Sequence, residues 1–142
     1  MNDPYDLQRF LAAQAPIFDE ACRELRAGRK TSHWMWFVFP QLQGLGQSAT
    51  ARKYAIASRE EAVAYLEHPI LGERLRECTR LALAVEGRSA HAIFGWPDEL
   101  KLRSSLTLFA QVADHPGLFQ KALGKFYEGE PDEATLRLLD AA

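Results

Sequence analysis

A lysine, two hydroxyl residues and a histidine run straight into a tryptophan-rich stretch: Lys30-Thr-Ser-His33, then Trp34 and Trp36. Lys30 and the Ser32 hydroxyl supply donors for an anion, His33 can act as acid, base or donor near neutral pH, and indole faces stack on rings or cations. If Thr31 or Ser32 caps a helical turn starting near Trp34, the free amides there add partial positive charge and complete a phosphate cradle. The competing reading makes the tryptophans, Met35, Phe37 and Phe39 core residues and His33 a hydrogen-bonded structural histidine.

A second group is Asp98, Lys101, Ser104 and Ser105. Spacings of three and four put Asp98, Lys101 and Ser105 on one helical face with Ser104 beside it, opposite a stripe of Leu102, Leu106 and Phe109. The bland alternative is a solvated face with one weak ion pair. Ser-x-x-Lys chemistry is not implied, because the order is reversed. A third group is Gln43-Gly-Leu-Gly-Gln-Ser48, whose glycines let backbone amides approach a phosphate and whose Ser48 adds a hydroxyl. It has neither the GK[ST] of a Walker loop nor the third glycine of a dinucleotide fingerprint, and a plain surface turn also fits it.

The elements that must carry these groups read as helices. Leu7, Phe10, Leu11, Phe18, Cys22 and Leu25 recur at helical spacing, with Asp6 as a cap, Gly28 as a left-handed stop, and Arg9 and Arg23 on the outer face. Ser58 with Glu61 forms a capping-box pattern for a helix that His68-Pro69 interrupts, and Pro69 can open the next, which Gly87 closes. Ser89 caps a short turn through Phe94. Gly95-Trp-Pro97 leads into a long helix, and two shorter ones follow, Leu118 to Tyr127 and, capped by Asp132, Ala134 to Leu139. Trp34 to Phe39 is too short for periodicity to separate strand from helix, but a lone strand would leave its backbone unpaired, so helix is favoured. The expected fold is an all-α, single-domain bundle of about six to eight helices.

Composition narrows the function classes. With 47% hydrophobic and 25% charged residues the chain is an ordinary globular one and not a disordered segment. Its 142 residues suit one core, in which folding buries roughly two-thirds of the unfolded surface. A net charge of -2 gives no field to attract a polyanion; the basic edge Arg23 to Lys30 has no interleaved aromatic, so nucleic acid is not an expected partner. Cys22 and Cys78 have no metal-site spacing and read as reduced core residues; no metal or cofactor is expected. No basic leader with an apolar run opens the sequence and no stretch approaches the roughly 20 apolar residues of a membrane span, so a cytoplasmic location is expected.

The combination of Asp6-Leu-x-Arg-Phe10, Glu24-Leu-Arg-x-Gly-x-Lys30, Ser32-His-Trp-Met-Trp36, Phe39-Pro-Gln41, Gly44-Leu-Gly-x-Ser48 and His68-Pro-x-Leu-Gly72 strongly resembles the bacterial family called domain of unknown function 1810. The match continues through Phe94-Gly95, Asp98, Lys101, Ser104, Ser105, Thr107-Leu-Phe109, Asp132 and Thr135-Leu136, covering nearly the whole chain. The resemblance implies an all-α single domain and no established activity. Members sometimes carry the label calpastatin, but a disordered inhibitor would need a polar, aromatic-poor chain, the opposite of this one.

The function expected from these readings is binding of a phosphorylated or nucleotide-like small molecule in a polar pocket flanked by tryptophans. Lys30, Ser32, Trp34, Trp36, Ser48, Lys101, Ser104 and Ser105 would hold it. His33 and Asp98 would be the general acid or base if the protein is an enzyme. The alternative is a non-catalytic helical module for protein interaction or homodimerisation.

Overall fold

The computed structural model describes residues 2–141. Among them it forms ten helices: α1 Gln8–Gln14, α2 Phe18–Arg26, α3 Met35–Val38, α4 Ala49–Lys53, α5 Arg59–Glu67, α6 Leu71–Ala84, α7 Ala90–Phe94, α8 Asp98–Val112, α9 Gly117–Tyr127 and α10 Glu133–Ala141. No strand occurs among the described residues; the extended chain is limited to an isolated parallel bridge between Leu42 and Ile56. None of the helices is long and apolar enough to cross a membrane.

The helices outnumber the expected six to eight for two local reasons. The single helix read from Leu7 to Leu25 is broken into α1 and α2, because Pro16 has no N–H to donate and its ring crowds the preceding turn. The other addition is α4, five residues long, started by Ser48, whose Oγ accepts from the Ala51 amide at 3.1 Å. Trp34 to Phe39 resolves as expected, with Met35–Val38 helical. Ser58, Ser89 and Asp132 cap α5, α7 and α10 as their sequences indicate.

Two assignments in the first helix change. Asp6 lies at φ 51 and does not cap; instead the Asp3 carboxylate accepts from the amides of Leu7 and Gln8 at 2.9 and 3.1 Å. Arg9, read as solvent-facing, turns inward. Its guanidinium donates to the carbonyls of Tyr5, Asp6, Lys53 and Ala55 and pairs with Glu61 at 2.8 Å, so one side chain ties the N-terminal segment to the start of α5.

The long helix α8 is the centre of the molecule, packed by α3, α5, α7, α9 and α10. Leu102, Ser104, Ser105, Leu106, Thr107, Leu108 and Phe109 are all buried on it, so the solvated face that its serines suggest does not exist. One aromatic row runs Phe10, Tyr65, Phe109, Phe119 with centroids 5.0, 5.5 and 6.1 Å apart; a second cluster joins Trp34, Phe39 and Phe94. Buried Gln14 stitches α3 to this core, donating to the Phe37 carbonyl at 2.6 Å and to the Tyr65 hydroxyl at 3.0 Å. A four-residue helix has no stability of its own, so the bonds that the Phe37 carbonyl accepts from Gln14 and, at 3.2 Å, from the Tyr65 hydroxyl hold it in place.

The segment that leads into α3 is held by Glu24, at the end of α2. Its buried carboxylate accepts from the amides of Thr31 and Ser32 at 2.8 and 3.0 Å, from the Ser32 hydroxyl at 2.6 Å and from the Trp34 indole at 2.9 Å. Burial by itself pushes the Glu24 carboxyl up, but the bonds from Ser32, Thr31 and Trp34 outweigh it and hold it at about 2.

Close packing also shows at Gly72, where α6 passes the end of α5: a Cβ there would lie 1.9 Å from the Leu66 carbonyl oxygen. Gly72→Ala must shift backbone and is expected to cost about 3 kcal/mol. Gly124→Ala, in open space on α9, should instead stabilise by about 0.7 kcal/mol. Urea midpoints measure both, and equal effects would contradict the packing. Glu24→Gln replaces an acceptor oxygen with a donor, and is expected to lose about 3 kcal/mol at neutral pH. Because the carboxyl titrates lower in the folded than in the unfolded chain, its contribution is present above pH 4.5 and fades as pH falls toward 2. Wild-type stability should therefore drop more steeply than that of Glu24→Gln across that interval; parallel pH profiles would rule out the clamp.

Candidate functional site

From the segment clamped by Glu24, the Lys30 amide donates to the Ile93 carbonyl at 2.7 Å, which fixes Lys30 beside the end of α7 and the start of α8. The Lys30 ammonium then reaches Asp98 Oδ2 at 2.7 Å and the Ser32 carbonyl at 2.6 Å, and lies 5.0 Å from the Trp34 ring centroid. Its side chain is only 6% exposed, and Asp98 is 17% exposed, so this ion pair is largely withdrawn from water. The other carboxylate oxygen of Asp98 meets Lys101 at 3.2 Å, and the Lys101 ammonium stands 4.8 Å from the ring centroid of Trp36. Asp98 thus bridges two lysines, each set over a tryptophan.

This arrangement joins the first and second sequence groups through Asp98, but with unequal accessibility. Lys30 is turned inward onto Asp98 and the Ser32 carbonyl with its side chain 6% exposed, Trp34 is fully buried, and the amide and hydroxyl of Ser32 are taken by Glu24. The amides available for an anion cradle at residues 31 and 32 thus already hold a carboxylate, the protein's own. Lys101 remains 21% exposed and has donors left after pairing with Asp98.

Lys101 also lines an open cleft of about 240 Å³ in which the second and third groups meet. Gln41, Leu45 and Gly46 come from the glycine-containing loop, Leu100, Lys101 and Ser104 from the first turns of α8, and Asp132 from the start of α10. The loop is held by the bridge to Ile56, whose amide donates to the Gln41 carbonyl at 2.9 Å. The far wall is hooked onto α8: Ser104 Oγ donates to Asp132 Oδ2 at 3.1 Å, and the Asp132 amide donates to Thr107 Oγ1 at 2.9 Å.

The remaining sequence candidates lie apart from the cleft walls. His33 is exposed, Ser48 is exposed and caps α4, and Ser105 is fully buried with a hydroxyl that has no hydrogen-bond partner among the described residues. No group of three or more His, Cys, Asp and Glu side chains placed to hold a metal occurs among the described residues. Three residues that matter here were given no site role by sequence reasoning. Glu24 carried two signals, its place in a family motif and a charge beside the apolar positions Ala21, Cys22 and Leu25 of α2; Gln41 carried only a family motif, and Asp132 a family motif and a helix cap. A groove of about 290 Å³ between the ends of α5 and α8, lined by Glu67, Arg76, Asp114 and His115, brings together none of the sequence groups.

The chain is similar to the crystal structure of the conserved hypothetical protein Rv1873 from Mycobacterium tuberculosis, at 56% identity over 99% of this chain and 100% of that one, with a TM-score of 0.97. No curated protein matches it. The profile described as protein of unknown function (DUF1810) matches residues 4–139. The chain therefore belongs to the DUF1810 family of proteins of unknown function.

Proposed function

We propose that the cleft between the 41–46 loop, α8 and α10 binds a small molecule that carries an anionic group, phosphorylated or nucleotide-like. The observation that carries this reading is the position of Lys101: partly exposed at the cleft, braced by Asp98 and Trp36, and sharing the cleft with the Gln41 amide. Polar groups from separate segments converge there on an otherwise apolar wall, the composition of a small-molecule site. Two lysines against the single carboxylate of Asp98 leave one positive charge that an anion would balance. Asp132 opposes this only partly, because Oδ2 accepts from Ser104, Thr135 Oγ1 and the Thr135 amide at the N-terminus of α10, where the helix dipole offsets its charge.

Binding is favoured over catalysis. Both oxygens of Asp98 are engaged by lysines, and neither Asp98 nor His33 lines the cleft. A second reading, docking of another protein, has its own observation in the exposure of Trp96 and Leu100, 73% and 52%. Concentration-dependent self-association that disappears in Trp96→Ser, measured by sedimentation, would favour it.

Thermal unfolding in the presence of ribose 5-phosphate, adenosine monophosphate or inorganic phosphate tests the first reading. A ligand at about 100 times its Kd stabilises by about 2.7 kcal/mol, which raises Tm by roughly 5–10 °C at this chain length. The shift, taken relative to each variant's own Tm, should vanish in Lys101→Ala and persist in His33→Ala. Equal shifts in wild type and Lys101→Ala, or none with any phosphate, would remove the proposal.

A further inference from the structure

Cys22 and Cys78 carry free thiols on two helices packed against each other, α2 and α6, and neither lines the cleft. Contacts on both sides of the cysteines fix the register of these helices. One turn before them, the Arg74 guanidinium lies 4.7 Å from the ring centroid of Phe18. Just past the ends of both helices, a Cβ at Gly28 would stand 3.1 Å from Val85 Cγ1. Phe18 thus meets Arg74 and Gly28 meets Val85, so α2 and α6 run side by side in the same direction, with facing residues 56 or 57 positions apart. Cys22 shares a face with Phe18, and Cys78 with Arg74, each pair being four residues apart. The register therefore sets Cys22 opposite Cys78.

The two sulfurs meet there. Cys78 donates a hydrogen bond to Cys22, which holds the Cys22 thiol below its ordinary range against the effect of burial, with Arg26 one turn on adding to it and Glu77 and Asp19 opposing it. The same bond pushes the Cys78 thiol up, and burial adds to that. A disulfide requires Cβ vectors that converge, and a mutual hydrogen bond between the sulfurs shows that these do. The pair is asymmetric in access as well, since Cys22 is 5% exposed and Cys78 not at all. Cys22 is the sulfur with thiolate character and the one a small oxidant reaches first; Cys78 stands behind it as a resolving thiol.

We propose that Cys22 and Cys78 form a reversible redox modification site, closed by hydrogen peroxide to a disulfide that ties α2 to α6. The Cys22 thiolate attacks one peroxide oxygen; an S–O bond forms, the O–O bond breaks, and the hydroxide released takes up the proton that Cys22 had lost and leaves as water. The Cys78 sulfur then attacks the Cys22 sulfur. The S–S bond forms, the S–O bond breaks, and the oxygen leaves as a second water with the proton of Cys78. Two thiols give up two electrons and two protons, which the peroxide takes. A dithiol reductant reverses the closure by exchange and is itself oxidised to a disulfide. Glu24 follows Cys22 by two residues, so the bridge fastens to α6 the helix that carries the carboxylate clamp.

The test treats the folded full chain with hydrogen peroxide, blocks the remaining thiols with iodoacetamide and maps the peptides by mass spectrometry. The expected product is a monomer lighter by two hydrogens, with neither cysteine alkylated and the Cys22 and Cys78 peptides cross-linked, and dithiothreitol should return both thiols. Cys78→Ala should leave on Cys22 a sulfenic acid that dimedone traps, and Cys22→Ala should leave Cys78 unreacted. Circular dichroism checks that the variants fold; if one does not, the mapping of wild type decides alone. Two free thiols after peroxide treatment of the folded chain overturn the site. So does a bridge that forms only in urea, one that forms only between chains, or a Cys22 carried to sulfinic acid with Cys78 still free.

Discussion

Much of the molecule around the cleft depends on one carboxylate. Glu24 is withdrawn from water at the end of α2 and would be intolerable there as a bare charge; it is stable only because Thr31, Ser32 and Trp34 turn four donors onto it. The same bonds fold the 30–34 segment back on the helix that precedes it. They set the indole of Trp34 against Phe39 and Phe94, and bring the Lys30 backbone to α7 and its ammonium to the first residue of α8. Removing the charge would release the entry to α3 and the anchor of α8 together.

The Lys30, Asp98 and Lys101 group shows how a buried ion pair can matter more for position than for stability. Desolvating Lys30 and Asp98 offsets much of what their attraction contributes, so the pair is weak evidence of net stabilisation. What it does determine is direction. Lys101 meets Asp98 within α8 itself, whereas Lys30 meets Asp98 only where the start of α8 lies against the 30–34 segment, and α8 placed there carries Lys101 and Ser104 to the side where the 41–46 loop and Asp132 complete a cleft.

The rest of the fold has the same character, with polar side chains buried at junctions between short helices. Arg9 uses its guanidinium to satisfy carbonyls at the ends of α4 and of the N-terminal turn, and Gln14 does so for α3. Helices of four and five residues leave most of their terminal backbone groups without intrahelical partners, so a chain containing several must supply partners from elsewhere. That need accounts for inward-turned Arg9, Glu24 and Gln14 in a molecule of ordinary surface charge.

Sequence by itself determined the all-helical class, the caps at Ser58, Ser89 and Asp132, the left-handed turn at Gly28 and the core role of Trp34 and Phe39, because those depend on periodicity and on contacts a few residues apart. The residue types that matter at the cleft were visible as well, since Lys101 and Ser104 follow from their spacing on one helix. Tertiary structure alone decided which of the polar candidates stay open. Whether Ser32 meets a ligand or Glu24, whether Lys30 meets water or Asp98, and whether Ser105 faces out or in are set by partners 8, 68 or more positions away or by packing on every side of α8. A carboxylate from the same chain and a phosphate from solution satisfy an amide in the same way, so no local pattern can tell which one fills it; only the fold places Glu24 there.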